Sequence, residues 1–143
     1  MRTLRRLLLP LVLFLSLSGC ASWAQRYRDT PVAAFTQDVA YMNLAVALAR
    51  TAVTSTGDAN AVQQFDHIAG QVQRGLAVAT DGVRIAANAG SGEPDYVALL
   101  RDSKSAMGSL NEFIRGFSTG PGQAPSPLMR EAARVTGRAA ETR

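Results

Sequence analysis

Two side chains in this sequence are chemically singular. Cys20 is the only cysteine and His67 the only histidine among 143 residues. A thiolate is a strong nucleophile, and an imidazole carries protons near neutral pH. Nucleophilic catalysis needs a base within reach of the nucleophile and a third group that orients the base. A zinc site needs several ligands. The sequence supplies neither set. His67 falls opposite Phe65 on its helix, so it is expected to be a solvated surface residue. The carboxylates are dispersed. Asp81 with Arg84, and Glu112 with Arg115, have the spacing of surface helix pairs. No glycine-rich loop follows a strand, so no phosphate cradle is expected. No Cys-x-x-Cys-His is present for covalent haem attachment. The expectation is a non-enzyme with no catalytic residue, no cofactor and no metal.

The position of Cys20 is more informative than its reactivity. Arg2, Arg5 and Arg6 follow Met1, and residues 7–17 form an apolar run broken only by Pro10 and Ser16. A charged start, a short apolar middle and small residues at the end are the plan of a secretory signal. A transmembrane helix needs about 20 apolar residues, more than this run supplies. The arginines would stay on the cytoplasmic side.

Leu17-Ser18-Gly19-Cys20 closes that run and resembles the lipobox of bacterial lipoprotein precursors. The resemblance covers the first twenty residues and no more. It implies cleavage between Gly19 and Cys20, diacylglycerol on the Cys20 sulfur, and acylation of the new amino group. One acyl chain holds a protein to a bilayer only marginally, and two or more hold it stably. In that family an aspartate at the second mature position commonly retains the protein at the inner membrane. Here that residue is Ala21, so the resemblance implies the outer membrane with the body facing the periplasm, surface display remaining open. Ser22-Trp23-Ala24 offers a second small-x-small cleavage site, which would release a soluble chain beginning at Gln25. The lipobox comes first and abuts the apolar run.

Removal of residues 1–19 leaves 124, enough for one small domain. It also removes three of the 15 basic side chains, leaving 12 against 11 acidic ones. The mature charge is then close to neutral, and no nucleic-acid partner is expected without a clustered basic face. Lys104 is the only lysine beside fourteen arginines. With one cysteine there is no internal disulfide, so packing must hold the fold.

The spacing predicts an all-α body: an antiparallel up-down-up three-helix bundle over 31–119, with a short fourth helix or flexible tail at 128–143. Residues 20–30 read as a lipidated tether. Trp23, Tyr27, Arg26 and Arg28 there suit either a lipid headgroup surface or a plain spacer. Thr30-Pro31 reads as a helix start, with the threonine hydroxyl as cap. Val32, Phe35, Val39, Met42, Val46, Ala49 and Val53 then mark one face of a helix over 31–56, stopped by Gly57. After an Asp58 cap, Val62, Phe65, Ala69, Val72, Leu76, Ala79, Val83 and Ala86 continue the pattern to residue 89. Gly70, Gly75 and Gly82 lie beside that seam, where a missing side chain would let another helix approach. Pro94 is expected to open a third helix over 94–118, with Tyr96, Leu100, Ser103, Met107, Leu110, Ile114 and Phe117 inward. Short loops make neighbours antiparallel. Residues 120–127, GPGQAPSP, form a stiff linker.

Two surfaces are candidates for a partner. Tyr41, Leu44 and Leu48 form a second apolar stripe on the first long helix, covered by the C-terminal helix or left as a docking face. Arg130, Arg134 and Arg138 recur every four residues in the tail. They suit anionic headgroups or an acidic partner, or form a solvated face favourable to the helix's negative end. The expected function is that of a lipid-anchored accessory or adaptor of an envelope complex, partnered by the membrane and by a protein or a second copy of itself. A pilotin-like chaperone of a secretin, or a bundle that binds a small hydrophobic molecule, are the alternatives.

Overall fold

The structure is a computed structural model and describes residues 23–118 and 124–141. Gly19, Cys20 and the signal-like segment lie outside the described residues, as do residues 120–123 of the linker. The described chain is all helical: α1 Trp23–Asp29, α2 Pro31–Thr54, α3 Ala59–Ala89, α4 Tyr96–Ser118 and α5 Pro127–Ala140. No strand occurs among the described residues.

Local chemistry sets the ends. Pro31 occupies the first turn of α2, where its missing N–H costs nothing. The Thr30 hydroxyl does not cap that turn as expected; it donates backward to the Arg26 carbonyl at 3.3 Å. Asp58 caps α3 by accepting from the amides of Asn60 and Ala61 at 2.9 and 3.1 Å. Gly90, at φ 62°, closes α3 in the left-handed region. The fourth helix starts at Tyr96 rather than at Pro94, because the Asp95 carboxylate takes the cap position and accepts from the Ala98 amide at 3.0 Å.

Cross-helix pairs fix the directions. Arg50 meets Asp66 and Asn43 meets Gln73, so α2 and α3 are antiparallel. Gly75 faces Ser103 and Gly82 faces Leu99, so α3 and α4 are antiparallel too. Asn111 meets Ala133 while Lys104 meets Glu141, which sets α5 antiparallel to α4. The helix after the linker is therefore not a loose tail. It packs against both α4 and α2 and closes the ring as a fourth member. The body is a four-helix arrangement rather than a three-helix one, because α5 carries its own buried face of Met129, Ala132, Val135 and Ala139.

The expected seams form the core. Phe65, Met42, Leu100, Met107, Leu110 and Ile114 are wholly buried, each contributing on the order of 1.5–3 kcal/mol before conformational entropy is counted. Val32 is the exception, exposed at 59%. The close approach of α4 to α3 depends on two of the three expected glycines. A Cβ at Gly75 would lie 2.6 Å from Ser103 Oγ, and one at Gly82 would lie 2.7 Å from Leu99 Cδ2. Gly70 faces only Arg74, at 3.5 Å.

By length and composition α2 is apolar enough to cross a membrane. It also has the contacts of a core helix: Ala45, Ala49, Ala52 and Val53 are fully buried, Asp38 pairs with Lys104, and Arg50 pairs with Asp66. Part of the expected tether is folded as well. Tyr27 packs against the core, and its hydroxyl reaches Asp38, eleven positions along. In one straight helix those residues would be about 16 Å apart, so the chain bends sharply between α1 and α2.

Candidate functional site

The candidate residues meet where α5 crosses α2 and α4. The Ser126 hydroxyl caps α5 by accepting from the Met129 amide at 3.1 Å. Its inward face takes Met129, Ala132, Val135, Thr136 and Ala139. Helical spacing then leaves Arg130, Glu131, Arg134 and Arg138 exposed.

The second apolar stripe on α2 is divided by this contact. Tyr41 and Leu48 are half-buried against the core, and the Arg138 guanidinium lies 6.0 Å from the Tyr41 ring centre. Leu44 turns away and is exposed at 61%. Ala34, Ala45 and Ala52, three or four residues from Tyr41 or Leu48 or one heptad away, are buried. The structure thus joins Tyr41, Leu48 and Arg138 and leaves Leu44 and Arg130 outside that contact.

Between α4 and α5 runs an open groove of about 540 Å³ bordered by Asn111, Arg115, Arg134, Gly137, Arg138 and one acidic residue, Glu141. Gly137 makes room for Asn111, whose Nδ2 would be 3.2 Å from a Cβ there. That amide donates to the Ala133 carbonyl at 2.6 Å and to Thr136 Oγ1 at 2.8 Å. Arg134 donates to both oxygens of the exposed Glu131. This hydrogen bond holds the Glu131 carboxyl below its ordinary value and raises the Arg134 guanidinium. A guanidinium fork suits carboxylates and phosphates; that of Arg134 is engaged by Glu131, and Arg115 and Arg138 border the groove beside it. A second open groove, of about 450 Å³, runs between α3 and α4 and is bordered by Gln71, Arg74, Val78, Leu99 and Asp102.

His67 is exposed on α3, as its spacing predicts. Among the described residues no group of three or more His, Cys, Asp or Glu side chains is placed to hold a metal ion.

A buried polar cluster escaped the sequence reading. Lys104, exposed at only 5%, pairs with Asp38 at 3.4 Å and donates to the Glu141 carbonyl at 2.7 Å. The Tyr27 hydroxyl donates to the same Asp38 carboxylate at 2.9 Å, and Arg26 stands 3.9 Å from it. Burial, then the Asp38 charge and hydrogen bond, push the Tyr27 phenol well above its ordinary value. The cluster ties α1, α2, α4 and the end of α5 together. The signal was present: Lys104 and Asn111 share the four-and-three register of Leu100, Met107 and Ile114, and Asp38 shares that of Phe35 and Met42. No family model matches the chain, and neither curated proteins nor solved structures provide a match.

Proposed function

We propose that this chain is a lipid-anchored, non-catalytic accessory protein of the bacterial envelope. Cys20 carries the acyl anchor at the periplasmic face of the outer membrane, and the helical body presents the α4–α5 groove to an acidic segment of a protein partner. The lipobox-like LSGC supports the anchor, and Ala21 at the second mature position favours the outer membrane. The observation that carries the adaptor role is the convergence of Arg115, Arg134 and Arg138 on one groove, with Asn111 in its wall. An anchor confines the body near its partner and raises the effective concentration without new contacts. A pilotin-like grip on an amphipathic segment, or capture of a small hydrophobic molecule, calls for an apolar groove. The α4–α5 groove is bordered by three arginines and an amide against the single carboxylate of Glu141, whereas the α3–α4 groove sets Arg74 against Asp102 beside Val78 and Leu99; the first therefore suits the acidic partner.

Two measurements test this reading. The mature protein from native membranes should carry three acyl groups on residue 20 by mass spectrometry. A photocrosslinker in place of Ala133 should trap one envelope protein, and Arg134→Glu with Arg138→Glu should abolish that adduct while the protein stays in the membrane fraction. An unmodified Cys20 thiol would overturn the anchor. An adduct indifferent to the charge reversal would overturn the groove.

A further inference from the structure

Five large apolar side chains are exposed among the described residues; Leu44 and Val78 lie along the body, and the other three gather at one end. Val32, Ile85 and Val97 are 59%, 62% and 37% exposed, and they come from three different helices. All three lie at one end of the body. Val32 is in the first turn of α2. The antiparallel register set by Arg50 with Asp66 and Asn43 with Gln73 brings Ile85 level with that turn. Tyr96, beside Val97, has its ring 5.4 Å from that of Phe35. At the same end residues 85–92, IAANAGSG, carry no charged side chain, and Glu93-Pro94-Asp95 complete the connection to α4. Residues 87–92 are exposed.

The three apolar residues point to different sides. Val32 shares the α2 flank of Arg50 and Asn43, which faces α3. Val97 shares the α4 flank of Lys104 and Asn111, which faces α5. Ile85 lies on the outer face of α3, with His67 and Val78. A peptide laid along one side would touch one of them. A plane that meets the end of the body would touch all three.

The segment that carries Cys20 is tied to this end through α1, which joins α2 at Thr30. The α1 helix packs against α2 and, at 7 residues, is about 10 Å long, and only Ala21 and Ser22 separate Trp23 from Cys20. Whatever path they take, the three Cα–Cα steps from Cys20 to Trp23 span at most about 11 Å, so Cys20 lies within roughly 20 Å of the start of α2.

We infer that this end of the body, formed by the 85–92 turn with Val32 and Val97, seats in the lipid headgroup region and stands the helices upright on the membrane. The inference rests on the Cys20 anchor proposed above. Small uncharged residues enter that region at little cost, and apolar side chains are buried to a depth of about 5–10 Å there. Three such side chains are weak alone, but a tether within reach makes the contact intramolecular. The far end, at Thr54, then stands about 36 Å away.

The acylated protein, purified from membranes and reconstituted in phosphatidylethanolamine–phosphatidylglycerol vesicles, provides the test. Acylation blocks the only native thiol, so an engineered cysteine is the sole labelling site. An environment-sensitive fluorophore on Ile85→Cys or Ser91→Cys should shift to shorter wavelength and be quenched several-fold more by lipid-borne nitroxide than the same label on Thr56→Cys. Val32→Glu with Val97→Glu should abolish that difference while the protein still sediments with the vesicles. A triacylated protein whose three labels are equally water-exposed overturns the seating and leaves the anchor intact. Labels shielded in native membranes but not in protein-free vesicles overturn it in favour of a protein contact. An unmodified Cys20 overturns both readings.

Discussion

The α3–α4 contact and the column formed by α5 and α1 are closed by opposite means. Between α3 and α4 the helices approach because atoms are missing: Gly75 lies against the Ser103 backbone, and Gly82 receives Leu99. On the other side, α1 and α5 are held by polar atoms placed in apolar surroundings. Lys104, Asp38 and Tyr27 join there, and Asn111 bridges to Thr136. A contact made by deletion resists any added atom. A contact made by buried polar groups resists the loss of either partner, because the survivor is left desolvated.

The largest effect should come from breaking the charge pair. Lys104→Ala removes the nearer, buried cation of Asp38 and leaves it the half-exposed Arg26 at 3.9 Å and the Tyr27 hydroxyl, and a loss of about 3 kcal/mol is expected from chemical denaturation. Replacing both partners, Lys104→Met with Asp38→Leu, should recover at least half of that loss, since an apolar pair of similar volume carries no uncompensated charge. If the double replacement is as damaging as the single one, the cluster is not held by charge compensation.

The glycine side is tested by adding atoms. Gly75→Val should cost about 1–3 kcal/mol, because the new side chain meets backbone that is already within 3.2 Å of an ideal Cβ. Gly70→Ala should act with the opposite sign and raise stability by up to about 1 kcal/mol, since its Cβ meets only the flexible Arg74 side chain. Equal effects at both positions would show that helix propensity, rather than contact, decides them.

A smaller loss is expected on the polar side from Asn111→Ala. Removing both hydrogen bonds to α5 should cost about 1–2 kcal/mol, read as a lower denaturation midpoint.

The smallest effect is one of pH. Tyr27 keeps its proton more tightly in the folded protein than its ordinary value of 10.0. Its contribution is therefore complete below pH 10 and is lost as the pH rises beyond that value. Denaturation measured near neutrality and again above pH 10 should show a steeper alkaline fall for the native sequence than for Tyr27→Phe.

The same contrast explains what could be read in advance. The seam from Phe35 to Val53, its partner from Phe65 to Ala79, and the run from Tyr96 to Ile114 follow from apolar periodicity alone, and each is buried. The role of Gly75 and Gly82 was legible from their position beside a seam. What periodicity passed over were polar residues in apolar register. Asp38, Lys104 and Asn111 occupy inward positions, yet their chemistry reads as surface when each helix is considered singly. Only the pairing of distant helices turns a lysine and an aspartate into compatible neighbours. Alanines were undervalued for a related reason. Ala34, Ala45 and Ala52 are weakly apolar, but they are buried on the flank of α2 beside Tyr41 and Leu48. At the partner surface, Tyr41 and Arg138 were both legible as candidates, whereas the lone outward turn of Leu44 depended on where the fourth helix settled.

Lys104 has one more consequence. It is the chain's only lysine, and folding buries it to 5% exposure. Apart from the amino terminus, the native molecule presents no primary amine to acylating reagents, aldehydes or sugars. Tagging at that nitrogen must wait for the helices to part, so the pace at which a mild amine reagent marks residue 104 is a clock for breathing of the whole assembly.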